Sequence, residues 1–423
     1  MKVLLSWMQQ FAPIDGEPDD LAASLTDLGL VVESVERVGA SWDGIVVARV
    51  VGLRPHPEAD RIQLVDVDTG GAASAPGEPL QICCGAFNMA VGDLVPLATL
   101  GTIMPNGLEI ARRKLRGEWS NGMICSGSEL ELSGEAAGDP DGILVLPTDL
   151  EVGRSLTEAL GTETDVLFDI DVEGNRPDAL SVVGVARDLA ARLGVPFSLP
   201  TPEIAEAEPV VATPASVTIE SSELCLRFGV RVLEDVTVGP SPAWLSARLE
   251  AAGMRSINSI VDISNYVMLE LGQPNHTYDL DQVPDGRLVV RMARQGESLV
   301  TLDDQDRQLT GADGVICDQD DRVIGLAGVM GGASTEIGTR TRRVLLEAAV
   351  WDRMMVAKTS RRLNLRSEAS TRYERGVDPQ GIERALDRFA ELAIEICGAT
   401  VPNASLVVDG GYEPTPDVLV RTH

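Results

Sequence analysis

Three features of this sequence combine residue types at spacings that can do chemistry. Residues 112 to 117, RRKLRG, set Arg112, Arg113, Lys114 and Arg116 just ahead of a Ser-Asn-Gly turn. On a β element such an edge can track a polyanionic backbone by charge alone; the plainer reading is a charged hairpin. Between Arg340 and Arg375 ten basic residues meet four acidic ones, a window of +6 in a chain of formal charge −30. That run is either a helix laced with Glu/Arg pairs or a local phosphate-binding face. The third feature is LGQPNHTYDLDQV, residues 271 to 283, where His276 stands between a proline turn and an aromatic-acidic run. Histidine is the side chain most often used for general acid–base work, and this chain has only three.

Taken singly, these residues have bland readings. His276 reads as a turn histidine, Glu347 in VLLEAAV as the exposed end of an apolar strand, and Asn265 in SNY as a capping residue. Gly331 and Gly332 in VMGGA read as a hairpin turn.

The elements that must carry them follow from periodicity. Residues 19 to 38 begin acidic, carry Leu21, Leu25 and Leu28 at helical spacing and then alternate valines, which predicts a helix followed by a strand. From residue 44 the texture becomes short β runs broken by turn residues, as expected of a small barrel or sandwich. Residues 180 to 194 form an amphipathic helical pattern stopping at Gly194. Residues 198 to 216, rich in Pro, Ala and Glu without periodicity, read as a linker. After them strands and helices mix to about residue 400, and the last 20 residues are too few to close a domain. A chain of this length should hold roughly three domains at about 100 to 200 residues each.

Composition excludes other classes. With 44% hydrophobic and 24% charged residues the chain is globular rather than disordered. A net charge of −30 opposes indiscriminate nucleic-acid binding, so contact with phosphate needs a local basic face. The six cysteines contain no C-x-x-C pair, so no metal is expected and reduced core thiols are. The N-terminus resembles no signal or transit peptide, and no apolar run approaches the ~20 residues of a membrane span. A cytoplasmic protein without membrane contact is expected.

Longer stretches carry a resemblance. HPEADRIQLVDVDTG, QICCGAFNMAVGDLVPLATLGTIMP and RRKLRGEWSNGMICS resemble the tRNA-binding OB-fold appended to several aminoacyl-tRNA synthetases. DIDVEGNRPDALSVVGVARDLAARLG, SIVDISNYVMLELGQPNHTYDLD, GVMGGASTEI and SRRLNLRSEASTRYERGVDP occur in the same order in the bacterial phenylalanyl-tRNA synthetase β-subunit family. The likeness runs through nearly the whole chain, whereas chains of that family are about twice as long.

The resemblance implies a multidomain α+β protein: a small α+β domain (1–38 with 151–197) interrupted by an OB-fold β-barrel (39–150), the linker (198–216), a mixed α/β editing domain (217–400) and the incomplete start of a further module (401–423). It implies a cytoplasmic α2β2 heterotetramer with the α subunit, tRNA(Phe) as partner, and ATP and Mg²⁺ used by the assembled complex, with no cofactor in this chain. It also implies hydrolysis of tyrosine mischarged onto tRNA(Phe). His276, Glu347 and Asn265 then match the catalytic editing residues, Gly331 and Gly332 the substrate-binding glycines, and Arg112, Arg113, Lys114 and Arg116 the tRNA-binding edge. The sequence departs from the family around the histidine, with Asn275, Thr277 and Tyr278 where a large apolar residue, Ala and Phe are commoner; a more polar pocket entrance is expected. EGNRPD departs from the commoner TPNRPD, a motif read as fixing a strand-to-helix turn. A non-catalytic tRNA-binding scaffold and a free-standing editing factor are the alternatives.

Overall fold

The computed structural model describes residues 1–39, 42–75, 77–132, 138–139, 142–160, 164–199, 201–204, 215–402, 405–413 and 419. The chain divides into two compact units, Met1–Glu36 with Val166–His423, and Arg37–Asp165. The architecture is mixed α+β.

In the first unit β1 (Lys2–Leu4) leads into α1 (Leu5–Met8), followed by α2 (Pro18–Asp27) and β2 (Val31–Val38). Pro18 opens α2 with Asp19 and Asp20 in its first turn, where acidic side chains favour the positive helix end. β10 (Asp165–Asp171) lies between β1 and β2 in a three-stranded sheet. The NRPD turn follows, with Arg176 bonded to both Asp178 and Asp188. It delivers α4 (Val182–Leu193), capped by the Ser181 hydroxyl and ended by Gly194 at φ 70°.

The second unit carries β3 (Ile45–His56), β4 (Ala59–Asp68), β5 (Leu80–Cys84), β6 (Leu94–Ala98), β7 (Arg113–Leu115), β8 (Glu118–Ser120), β9 (Met123–Ile124) and α3 (Leu156–Leu160). Alternation along β6 sends Leu94 and Ala98 into one apolar cluster and Val95 and Leu97 into another. The sheet is therefore apolar on both faces, which is why β6 reads as an unbroken hydrophobic run. Its order is β5-β4-β3-β6-β9, with β7 and β8 a separate hairpin. The expected barrel does not close as a ladder: where β5 meets the end of β8, the Ser120 hydroxyl takes the Cys83 N–H at 3.0 Å, and the N–H of Asn121, just beyond the strand, reaches the Gln81 carbonyl at 3.1 Å.

The rest of the first unit holds two sheets that share one core. β12 (Cys225–Leu233), β13 (Asn275–Asp279), β20 (Val344–Trp351) and β21 (Leu406–Asp409) form an antiparallel sheet in the order β13-β20-β12-β21. β21, from the stretch read as the start of a further module, thus pairs with β12. The second sheet has the order β11-β14-β17-β18-β19, from β11 (Ser216–Ile219), β14 (Arg287–Met292), β17 (Gly314–Cys317), β18 (Val323–Leu326) and β19 (Met330–Gly331). β15 (Ser298–Val300) and β16 (Asp306–Gln308) make a short hairpin. The helices are α5 (Ala243–Ala251), α6 (Ser259–Leu271), α7 (Arg353–Leu363), α8 (Glu368–Arg375) and α9 (Ile382–Cys397).

All eight residues of β20 are buried. Leu345, Ala349 and Trp351 enter the core shared by the two sheets. Glu347, two positions from both Leu345 and Ala349, is carried to that same apolar face by the period of the strand. Positions 200 and 205–214 of the expected linker, and 403–404, 414–418 and 420–423 near the end, lie outside the described residues. Among the described residues no helix is long and apolar enough to cross a membrane. The cysteines are free, and all but Cys83 are buried.

Candidate active site

β13 and β20 run antiparallel with His276 directly opposite Glu347. Side chains opposed across two strands point to one face, and Tyr278, two residues along β13, shares it. Glu347 is only 5% exposed, and a buried carboxyl requires a partner. It has one, because the Tyr278 hydroxyl donates to Glu347 Oε2. The His276 ring stands edge-on to the Tyr278 ring, centroids 4.5 Å apart and planes at 88°. Gly331, on β19, closes the other side: a Cβ there would overlap the imidazole.

These groups line a cavity of about 70 Å³ together with Asn275, Met330 and Tyr373. Its walls are held from behind, as the Tyr373 hydroxyl donates to the Pro274 carbonyl at 2.9 Å and Gln273 Nε2 to the Ala349 carbonyl at 3.0 Å. Asn275 Nδ2 donates to the Ser264 carbonyl of α6 at 3.1 Å. Among the described residues, Asn275 Oδ1 and His276 Nε2 are enclosed without a protein partner. Buried polar atoms left unpaired are uncommon and mark a place where a ligand or water completes the network.

Burial sets the charge states. It pushes the Glu347 carboxyl up to about 7, against the Tyr278 hydrogen bond, which favours the ionised form. Burial alone holds His276 down at about 4, so its imidazole is neutral at physiological pH. The phenols of Tyr278 and Tyr373 are both raised, by burial first and by the Glu347 charge second. The site thus offers a neutral imidazole, a carboxyl that titrates near neutrality and two enclosed polar atoms without partners, set to receive a polar group.

The second unit presents a basic hairpin. Arg112, Arg113, Lys114 and Arg116 are all exposed. Arg116 (φ 41°) and Gly117 (φ 97°) make the two-residue turn, both in the left-handed region that the tight hairpin requires. Lys114 is paired across the strands with Trp119, which puts the two side chains on one face. The Arg112 guanidinium lies 4.5 Å and the Lys114 ammonium 5.8 Å from the centroid of that half-exposed indole. Arg116 is tied back to the Glu58 carbonyl at 3.1 Å.

Comparison with known proteins assigns the sequence. Residues 45–155 match the model of a putative tRNA binding domain and residues 224–398 that of the B3/4 domain. The phenylalanine–tRNA ligase β subunit of Anaeromyxobacter dehalogenans is 46% identical over 421 residues, which cover 100% of this chain and 51% of the relative. That of Geobacter metallireducens is 43% identical over the same shares. The chain belongs to the phenylalanine–tRNA ligase β-subunit family. It spans about half the length of the curated relatives it matches. An N-terminal fragment of the phenylalanyl-tRNA synthetase β subunit from Pyrococcus horikoshii aligns at 18% identity with a TM-score of 0.26, covering 47% of this chain and 62% of that one.

Of the site residues read from the sequence, the cavity brings together His276, Glu347 and Gly331. Asn265, half-buried on α6, is not among the lining residues. Gly332 packs away from the cavity, where a Cβ would lie 2.6 Å from the Ile324 carbonyl oxygen. Sequence reading singled out Tyr278 only as part of a polar entrance; it is instead fully buried and bonded to Glu347. The signal for its true place was the i, i+2 spacing from His276. Trp119 was missed as the partner of the basic edge, although its register opposite Lys114 follows from the two-residue turn.

The basic run from Arg340 to Arg375 is split by the fold. Arg343, Arg362, Arg366 and Arg372 pair with Asp281, Asp313, Glu374 and Glu368. Arg372 is 2% exposed and donates to the Leu180 carbonyl at 3.1 Å, and Arg375 to the Val172 carbonyl at 2.8 Å. Arg340, Lys358 and Arg361 are exposed. Much of this run is therefore structural.

Proposed function

We propose that this chain serves a phenylalanine–tRNA ligase as part of its β subunit and hydrolyses tyrosine mischarged onto tRNA(Phe). An apolar pocket selecting phenylalanine cannot strongly reject a ring that merely adds a hydroxyl, so a second site must recognise that hydroxyl positively. In this reading the tyrosyl hydroxyl donates to Glu347, and a phenylalanyl ring leaves the buried carboxylate unanswered at a cost of about 1 to 3 kcal/mol. Water attacks the ester carbonyl, the bond to the terminal ribose oxygen breaks, and tyrosine and free tRNA leave. His276, neutral and with an enclosed free nitrogen, orients the water, while Gly331 permits the close approach. Asn265, next to Ser264 whose carbonyl anchors Asn275, is assigned to holding the ester at the rim, and Gly332 to keeping the Gly331 strand close.

The carrying observation is the opposition of His276 and Glu347 over a buried cavity containing unpaired polar atoms. The second unit is assigned as an OB-fold whose edge, Arg112, Arg113, Lys114 and Arg116, follows the tRNA backbone. The α subunit, an α2β2 assembly and cytoplasmic residence complete the reading; ATP and Mg²⁺ are assigned to the α subunit's active site.

The test is release of tyrosine from Tyr-tRNA(Phe) by this chain, alone and with the α subunit, beside Glu347→Ala and His276→Ala. Release that Glu347→Ala abolishes, with Phe-tRNA(Phe) left intact, supports the reading. No release in either setting by a folded chain overturns it in favour of a tRNA-binding scaffold.

A further inference from the structure

One close contact in the cavity wall is not accounted for by ester hydrolysis alone. Glu347, the group assigned to meet a substrate hydroxyl, already receives a hydroxyl from Tyr278 of its own chain. Tyr278 is fully buried, so solvent does not compete for that bond. Its ring is fixed by the edge-on His276 at 4.5 Å. Among the described residues Glu347 Oε1 has no hydrogen-bond partner, and Glu347 lines the cavity. The two carboxyl oxygens are thus unequal: one is engaged from within the fold and the other is left for a ligand.

Resting on the editing reading, we propose that Tyr278 is a positioning residue, which by occupying one carboxyl oxygen holds Glu347 as a single oriented acceptor for one ring hydroxyl. A carboxyl in an apolar core can meet a hydroxyl in two ways. Ionised it accepts; protonated it donates, and then a water or backbone carbonyl suits it as well as a tyrosyl ring. A hydroxyl donated from Tyr278 favours the ionised, accepting form. The geometry also limits the ligand. The cavity of about 70 Å³ is half the ~150 Å³ that holds a benzene ring in an engineered apolar cavity, so a substrate ring needs the cavity walls to adjust.

Among the described residues, the titratable groups around the Glu347–Tyr278 pair are His276 on β13, Cys225 on β12, Cys317 on β17 and Tyr373 on α8. His276 titrates at about 4, while burial raises Cys225, Cys317, Tyr278 and Tyr373 above their ordinary values. A transition near pH 7 in this pocket is therefore that of Glu347.

The experiment is isotope-edited infrared titration of the Glu347 carboxyl in the parent chain and in Tyr278→Phe, run beside the pH profile of Tyr-tRNA(Phe) hydrolysis. Loss of the hydroxyl is expected to raise the carboxyl midpoint by about one pH unit, the size of one hydrogen bond. Hydrolysis at pH 7 then falls about fivefold and recovers by about pH 8.5 as the carboxyl ionises. Should Tyr278→Phe fold poorly, 3,5-difluorotyrosine placed in a chain with only four tyrosines gives a stronger donor and must move the midpoint the other way. Coincident titrations in parent and variants overturn the proposal. A shifted titration in a chain that releases no tyrosine retains the positioning role and discards the editing reading.

Discussion

The His276 imidazole and the Cα of Gly331 are packed so closely that no side chain fits between them. Gly331 keeps ordinary strand backbone, so what an alanine would violate there is space rather than conformation. Gly331→Ala must push the imidazole aside, at about 1 to 3 kcal/mol for overpacking. Tyrosyl-ester hydrolysis is expected to fall tenfold or more. Gly332→Ala instead meets the Ile324 carbonyl, which cannot rotate away, and should lose more stability, with a smaller fall in rate because it acts on the pocket only by displacing the Gly331 strand. Tm and kcat/KM measured on both variants separate the two effects.

Glu347 makes stability fall as pH rises. Its carboxyl titrates at about 7 in the fold against an ordinary 4.5, so between those values the native state holds a proton that the unfolded chain releases. The corresponding ceiling is about 3 kcal/mol. Glu347→Gln still accepts from Tyr278 but has no charge to bury. Its stability relative to the parent is expected to climb by up to about 3 kcal/mol from pH 4.5 to 7.5, read from denaturant midpoints. A difference that does not vary with pH would show that the carboxyl is not shifted. His276 acts in the opposite sense, its contribution being lost as pH falls from 6.5 towards 4.

Charge and stacking on the basic hairpin should separate in salt titrations of tRNA binding. Arg112→Ala with Lys114→Ala removes two phosphate contacts and should flatten the dependence of log K on log salt by about 1.5. Trp119→Ala should leave that slope in place and weaken binding by about 1 to 3 kcal/mol, as expected of a base stacked on the indole. Equal slopes in all the variants would remove this edge from the interface.

Arg372 should matter for folding alone. Burial lowers its pKa, and it holds Glu368 and the Leu180 carbonyl. Arg372→Ala strands those partners and should cost about 3 kcal/mol of stability, whereas tRNA affinity per folded molecule stays unchanged. Arg361→Ala, on an exposed side chain, should leave stability within about 0.5 kcal/mol. An affinity loss with Arg372→Ala at full stability would return this run to the tRNA interface.

Local pattern carried much of this molecule. The helix and strand of residues 19 to 38, the helix ending at Gly194, the β texture after residue 44 and the exposed basic hairpin all follow from periodicity and turn residues, because those signals act between near neighbours. The family likeness singled out His276, Glu347 and Gly331 as residues to watch. What pattern could not supply was the pairing of β13 with β20 across about 70 residues of chain, since register depends on which apolar faces meet in the shared core. That register turned Glu347 from an apparent strand end into a buried carboxyl, moved Tyr278 from an entrance to a hydrogen bond, and left Asn265 off the cavity wall. It also divided the basic run, as the partners of Arg362 and Arg372 come from Asp313 and Leu180, far away in sequence. Charge in a sequence is a count; whether it faces solvent or a carbonyl is decided by packing.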